Sequence, residues 1–234
     1  HHVHPAGQRL LDLLARDVDL RGTEHPGLGD SDTPAWVRGG EDLAGCCMDV
    51  LQELDLTGVH LVGHSLGGWT AAALAIKDCS RIKSLTLISA AGVHVHGVAR
   101  VDNFMGNPEQ TLRALIHDQS VADQLLALGV LPEERERQLK NRFTTARLVW
   151  QPRSYDPYLP QWLHRIRVPT HVVWGEHDRL FPLPIGQEYQ RLIPGARLTV
   201  LDGCGHLPPI EQPQPCAQAV TQFVNEVCAQ EGRA

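Results

Sequence analysis

Three positions in this sequence have the residue types and surroundings for covalent catalysis. The first is Ser65, in the run Val59-His60-Leu61-Val62-Gly63-His64-Ser65-Leu66-Gly67-Gly68-Trp69. A β-type stretch leads into it and an Ala- and Leu-rich stretch follows. Glycines two residues to either side fit a serine on a tight, strained strand-to-helix turn, where bulkier neighbours would collide. Such a turn lifts the hydroxyl clear and leaves the N–H of Leu66 free to hold an oxyanion. The second is Asp178, in Trp174-Gly175-Glu176-His177-Asp178-Arg179-Leu180-Phe181-Pro182, again just past an apolar run. The third is His206, which ends Gly203-Cys204-Gly205-His206 after a further apolar run. Taken singly, Asp178 suits a turn and His206 suits a surface loop. Together they supply a nucleophile, a general base and an acid that orients the base. That chemistry is acyl transfer through an acyl-enzyme, and it requires neither cofactor nor metal.

The elements needed to bring these groups together are legible. Short apolar runs alternate with helical stretches, the pattern of βαβ units and a mostly parallel sheet flanked by helices, hence an α/β class. Val59 to Val62, Ser84 to Ser89, Thr170 to Trp174 and Arg197 to Leu201 read as buried strands. Gln8 to Ala15, Leu66 to Lys77 and Gln214 to Ala229 read as helices. Thr33-Pro34 resembles the start of another, continuing to Leu56. Residues 94–165 lack a clear strand. Asn107-Pro108-Glu109 and Pro132-Glu133-Glu134 each open a helix there, with Leu112, Leu115, Ile116 and Trp150 as apolar residues to face a site. A segment this long with its own apolar faces is an insertion rather than a loop. The predicted division is a core of residues 1–93 and 166–234 and a helical insertion of residues 94–165.

The motifs resemble the α/β-hydrolase superfamily from about Leu10 to Val227. Gly175-x-x-Asp178 with Pro182 is similar to the family's acid motif. His206-x-Pro208-x-x-Glu211-x-Pro213 is similar to its histidine motif, and Glu24-His25-Pro26-Gly27-Leu28-Gly29-Asp30-Ser31-Asp32 to its glycine-rich loop. The order Ser65, Asp178, His206 is the family's order. The resemblance implies a helical cap over the pocket and an ester, thioester, lactone, amide or activated carbon–carbon substrate. The resemblance implies that serine at the elbow speaks against epoxide and halide chemistry, for which members of the family carry aspartate. The family's opening strands, which end in a His-Gly turn, do not precede His1-His2. By spacing His2 stands where glycine would, so the second oxyanion N–H is expected near His2 or Val3. The active form is expected to carry residues before His1 that end in a strand beside Val59–Val62.

Other residues are candidates for the pocket: His64 next to the nucleophile, Trp69 and Trp150 for an apolar acyl group, and His94, which leaves a strand at the catalytic edge. Plain packing is the alternative for both tryptophans. His94 and His96 share a strand face, but no carboxylate or cysteine nearby completes a metal site. His1, His2 and His4 read as a frayed terminus. The six cysteines form no C-x-x-C pair and read as structural thiols.

The chain has 234 residues and a formal net charge of −6, which excludes the basic stripe of a nucleic-acid binder. No apolar run is long enough to span a bilayer and the start is no signal peptide, so a cytoplasmic location is expected. The expected function is a serine hydrolase acting on a small carboxylic ester or related acyl substrate, with a small-molecule acyl substrate as its partner. A carbon–carbon bond hydrolase is the nearest alternative. A catalytically silent member that binds a small ligand under its cap is the alternative outside enzymes.

Overall fold

A computed structural model describes residues 5–130 and 132–232. The elements, in chain order, are α1 (Pro5–Leu14), α2 (Gly40–Glu53), β1 (Val59–His64), α3 (Leu66–Lys77), β2 (Ile82–Ile88), α4 (Pro108–Leu115), α5 (Gln119–Leu128), α6 (Pro132–Val149), α7 (Leu159–Trp162), β3 (Thr170–Gly175), α8 (Leu183–Leu192), β4 (Arg197–Leu201), α9 (Pro208–Glu211) and α10 (Pro213–Glu231). The sheet runs β1-β2-β3-β4 and every pairing is parallel, with Gly63 opposite Leu87 and Leu87 opposite Val172. All four strands therefore end at one edge, and loops leaving that edge meet.

Alternation along the central strands builds two apolar layers. Leu85, Leu87 and Val172 face the layer of Leu43, Leu74 and Ile185, contributed by α2, α3 and α8. Ile88 and Val173, one residue on, face Leu10, Leu14, Val220 and Val224 of α1 and α10. Helices thus cover both faces, as continuous apolar strands require. The four strands lie where the apolar runs place them.

One local expectation is corrected, the helix opening at Thr33-Pro34, and two further local features are set by the structure. Residues 34–39 form no helix. α2 begins at Gly40, where a Cβ would lie 2.7 Å from the Trp69 indole, so the helix starts where its backbone can touch that ring. Val18 to Gly22 makes no strand; Asp19 and Arg21 are exposed and paired to each other at 3.0 Å. α5 is an additional helix in the stretch between β2 and β3, capped by Asp118, which accepts from the Ser120 N–H. The expectation of a further strand beside β1 lies outside the described residues.

Between β2 and β3 the described residues form helices. α4 opens on a capping box, with Asn107 and Gln110 each accepting the other's backbone N–H. α6 lies against the glycine-rich loop: Lys140 Nζ donates to the carbonyls of Gly29 and Ser31, and Asn141 accepts from the Gly29 N–H. No helix among the described residues is long and apolar enough to cross a membrane.

Candidate active site

Ser65 sits between β1 and α3 at φ +53°, a left-handed conformation costly for a residue with a Cβ. Such strain costs roughly 1–3 kcal/mol and persists only where the surroundings over-determine it. Here they do. The Ser65 N–H donates to the Ile88 carbonyl at 3.0 Å, and its own carbonyl accepts from Gly68, Trp69 and Ala91 at 3.0, 3.2 and 3.0 Å. Of the two glycines that flank Ser65 at two residues' distance, Gly63 is a steric requirement and Gly67 is not: a Cβ on Gly67 would meet only His25 Nε2, at 3.7 Å, and the second crowded position is Gly68. A Cβ on Gly63 would lie 2.2 Å from the Gly67 carbonyl oxygen, and one on Gly68 would lie 2.6 Å from the Ala90 Cβ. Leu66 is the first residue of α3, and its N–H has no acceptor within the helix.

The candidate acid and base, Asp178 and His206, come from the loops that follow β3 and β4 at the same edge. Asp178 is buried; its Oδ1 accepts from the backbone N–H groups of Leu180 and Phe181 at 2.9 and 2.8 Å. Its Oδ2 is 2.8 Å from His206 Nδ1, and His206 Nε2 is 3.0 Å from Ser65 Oγ. The carboxylate therefore selects the tautomer with the proton on Nδ1, which leaves Nε2 free to accept the serine proton. The Phe181 ring meets the His206 ring edge-on at 5.1 Å. Both loops are also tied to each other: the His177 N–H donates to the Cys204 carbonyl at 2.8 Å, and a Cβ on Gly175 would lie 2.0 Å from the Gly205 carbonyl oxygen.

A family model for the alpha/beta hydrolase family matches residues 2–219. The chain belongs to the α/β-hydrolase family. In sequence it is similar to a 2-hydroxy-6-oxononadienedioate/2-hydroxy-6-oxononatrienedioate hydrolase of Cupriavidus pinatubonensis, 26% identical over 91% of this chain and 78% of the relative. In structure it is similar to a meta-cleavage product hydrolase from Pseudomonas fluorescens, with a TM-score of 0.79, 21% identity and coverage of 97% of this chain and 86% of that one. An esterase from Exiguobacterium antarcticum gives a TM-score of 0.71 at 20% identity, over 96% and 90% of the two chains. At such identities the solved structures speak for the shared fold. This α/β-hydrolase is accordingly a hydrolase with a serine at its elbow.

The remaining candidates are dispersed. His2 and Val3 lie outside the described residues. Trp69 is buried under Gly40 and Gly92 and packs rather than lines an opening. Trp150 is 52% exposed; the Arg153 guanidinium lies 3.9 Å from its ring centroid. His94 is exposed and stacks on Tyr155 at 4.9 Å. Ile116 is buried, not turned to an opening. Among the described residues no group of three or more His, Cys, Asp or Glu side chains could hold a metal ion. The cysteines are free thiols, and burial pushes Cys47 up to about 11 and Cys216 up to about 12. A groove of about 980 Å3 opens beside the acid loop between Arg100, Arg113, His117 and Arg179, and neither Ser65 nor His206 lines it.

His64 lies beneath the base loop, its Nε2 donating to the His206 carbonyl at 2.9 Å. Burial, with the His206 ring next, pulls its pKa from 6.5 down to about 4. Between those values the unfolded chain binds a proton that the folded chain does not. The contribution of His64 to stability is therefore fully present above pH 6.5 and lost as pH falls towards 4, by on the order of 3 kcal/mol. Urea unfolding at stepped pH should show His64→Gln, which keeps a donor and cannot titrate, with a shallower fall than wild type. Equal slopes would show that His64 does not carry this dependence.

Proposed function

We propose that the chain hydrolyses a small carboxylic ester or related acyl substrate, with Ser65 as nucleophile, His206 as general base and Asp178 as the orienting acid. The observation that carries this reading is the continuous hydrogen-bonded line from Asp178 Oδ2 through His206 to Ser65 Oγ, at 2.8 and 3.0 Å. As Ser65 Oγ bonds to the substrate carbonyl carbon, His206 Nε2 takes its proton. The protonated ring then returns that proton to the leaving group, and the acyl-enzyme remains. Water attacks it with His206 again as base. The Leu66 N–H supports the oxyanion; a second donor near His2 or Val3 completes the proposal. Residues 94–165 serve as the cap that selects the acyl group.

A second reading, carbon–carbon bond hydrolysis, is favoured by the names of sequence relatives such as the Cupriavidus protein. Both reactions pass through a carbonyl attacked at the same serine. A panel of short-chain esters, a lactone and a vinylogous 1,5-diketone acid, each run with the purified protein, decides between them. Turnover of the esters alone supports the first reading, and preference for the diketone acid supports the second. Turnover of none supports a silent ligand-binding protein and overturns both.

A further inference from the structure

We propose that Glu211 is a positioning residue, through which the chain segment at the end of α4 holds His206 in line with Ser65 and Asp178. The proposal rests on the triad reading above. Glu211 belongs to the histidine motif yet takes no part in the reaction as described. Its carboxylate gathers backbone N–H groups from two separate parts of the chain. From the base loop it accepts from Gly205 at 3.1 Å. From the insertion it accepts from His117 at 3.1 Å and from Asp118 at 2.9 Å. Hydrogen bonds to an ionised acceptor are roughly twice as strong as neutral ones, so one side chain can hold both parts together.

The part of the insertion held in this way touches the base directly. The Leu115 carbonyl accepts the His206 N–H at 2.7 Å. The fit leaves no room for a side chain at position 205, where a Cβ would lie 2.5 Å from the Leu115 oxygen and 2.8 Å from the His117 nitrogen. His64 takes the opposite end of the same residue, at the His206 carbonyl. The base is thus gripped at its N–H by the insertion and at its carbonyl by the strand that ends in the nucleophile. The acid loop bears on the same segment: Arg179 Nη2 donates to the carbonyls of Arg113 and Ile116 at 2.6 and 3.2 Å, and the His177 ring stacks on His117 at 3.9 Å. Residues adjacent to Asp178 and to His206 therefore share one support, and that support belongs to the insertion.

A shift of about 1 Å in a reacting group can cost roughly a hundredfold in rate. Changes in this segment should therefore appear in kcat, whereas changes elsewhere in the insertion should appear in KM. Glu211→Gln tests the idea because its amide offers one acceptor where the carboxylate offers two. The measurements on the full chain are kcat and KM for a small ester, the rate of labelling by a fluorophosphonate, and the downfield proton resonance of the His206–Asp178 hydrogen bond. The expected result is a fall in kcat and labelling of roughly ten- to a hundredfold with KM within about threefold, partial recovery in Glu211→Asp, and a displaced resonance. A folded Glu211→Gln with wild-type labelling and an unmoved resonance would overturn the proposal. If Glu211→Gln does not fold, Glu211→Asp, which keeps two acceptor oxygens on a shorter arm, is measured in its place, and wild-type values for it in both readouts overturn the proposal equally. If the wild type itself neither labels nor turns over, the hydrolase reading fails on its own. The resonance then still decides, moved in Glu211→Gln if the positioning role holds and unmoved if it does not.

Discussion

Ser65→Ala should abolish turnover and fluorophosphonate labelling while the thermal unfolding midpoint stays within a few degrees of wild type. Among the described residues the hydroxyl's hydrogen bond is to His206, and the turn that holds the residue is built from its backbone. Removing Oγ therefore removes the nucleophile without dismantling its support. Loss of a triad nucleophile typically costs about six orders of magnitude in kcat, with a small residue of rate left by binding and oxyanion stabilisation. Single-turnover assays with the ester found in the substrate panel measure this directly. Wild-type turnover in the variant would remove the assignment of Ser65.

Asp178→Asn should lower kcat by about four orders of magnitude without unfolding the protein. The reason is visible in the acid's surroundings. Two backbone N–H groups, from Leu180 and Phe181, converge on Oδ1 and require an acceptor there. An asparagine must therefore keep its carbonyl oxygen at that place and turn its amide NH2 towards His206. Nδ1 of the ring then has to accept, its proton moves to Nε2, and Nε2 can no longer take the proton from Ser65. Circular dichroism should be unchanged, because asparagine is isosteric and satisfies both backbone donors. A variant within tenfold of wild type would place the acid elsewhere.

The catalytic loops were legible in the sequence because each follows an apolar strand and rests on glycines that nothing else could replace. Gly63 and Gly175 are flanked by backbone at 2.2 and 2.0 Å from where a Cβ would stand, so short-range sterics wrote the pattern into the sequence. The start of α2 was not legible, because Thr33-Pro34 has every local mark of a helix opening. What moved the start to Gly40 is contact with the Trp69 indole, a partner 29 positions along the chain. Tertiary contact overrides local preference in this way wherever a buried ring must be accommodated. Where the pocket candidates lie was not legible for a related cause. Histidine and tryptophan types carry no signal of which way they point, so His64 under the base loop and Trp150 on the surface read alike. The bonds of Glu211 were hidden because they run to backbone N–H groups, which every residue but proline carries.

The triad also has an uneven spacing along the chain, and this bears on how the protein acquires its activity. Acid and base are separated by 28 residues, nucleophile and base by 141. Closing the longer loop costs roughly 1 kcal/mol more in chain entropy. A chain part-way to the native state is thus biased towards an oriented imidazole with no hydroxyl yet beside it. By loop-closure entropy alone, a partly folded molecule is biased towards chemical silence.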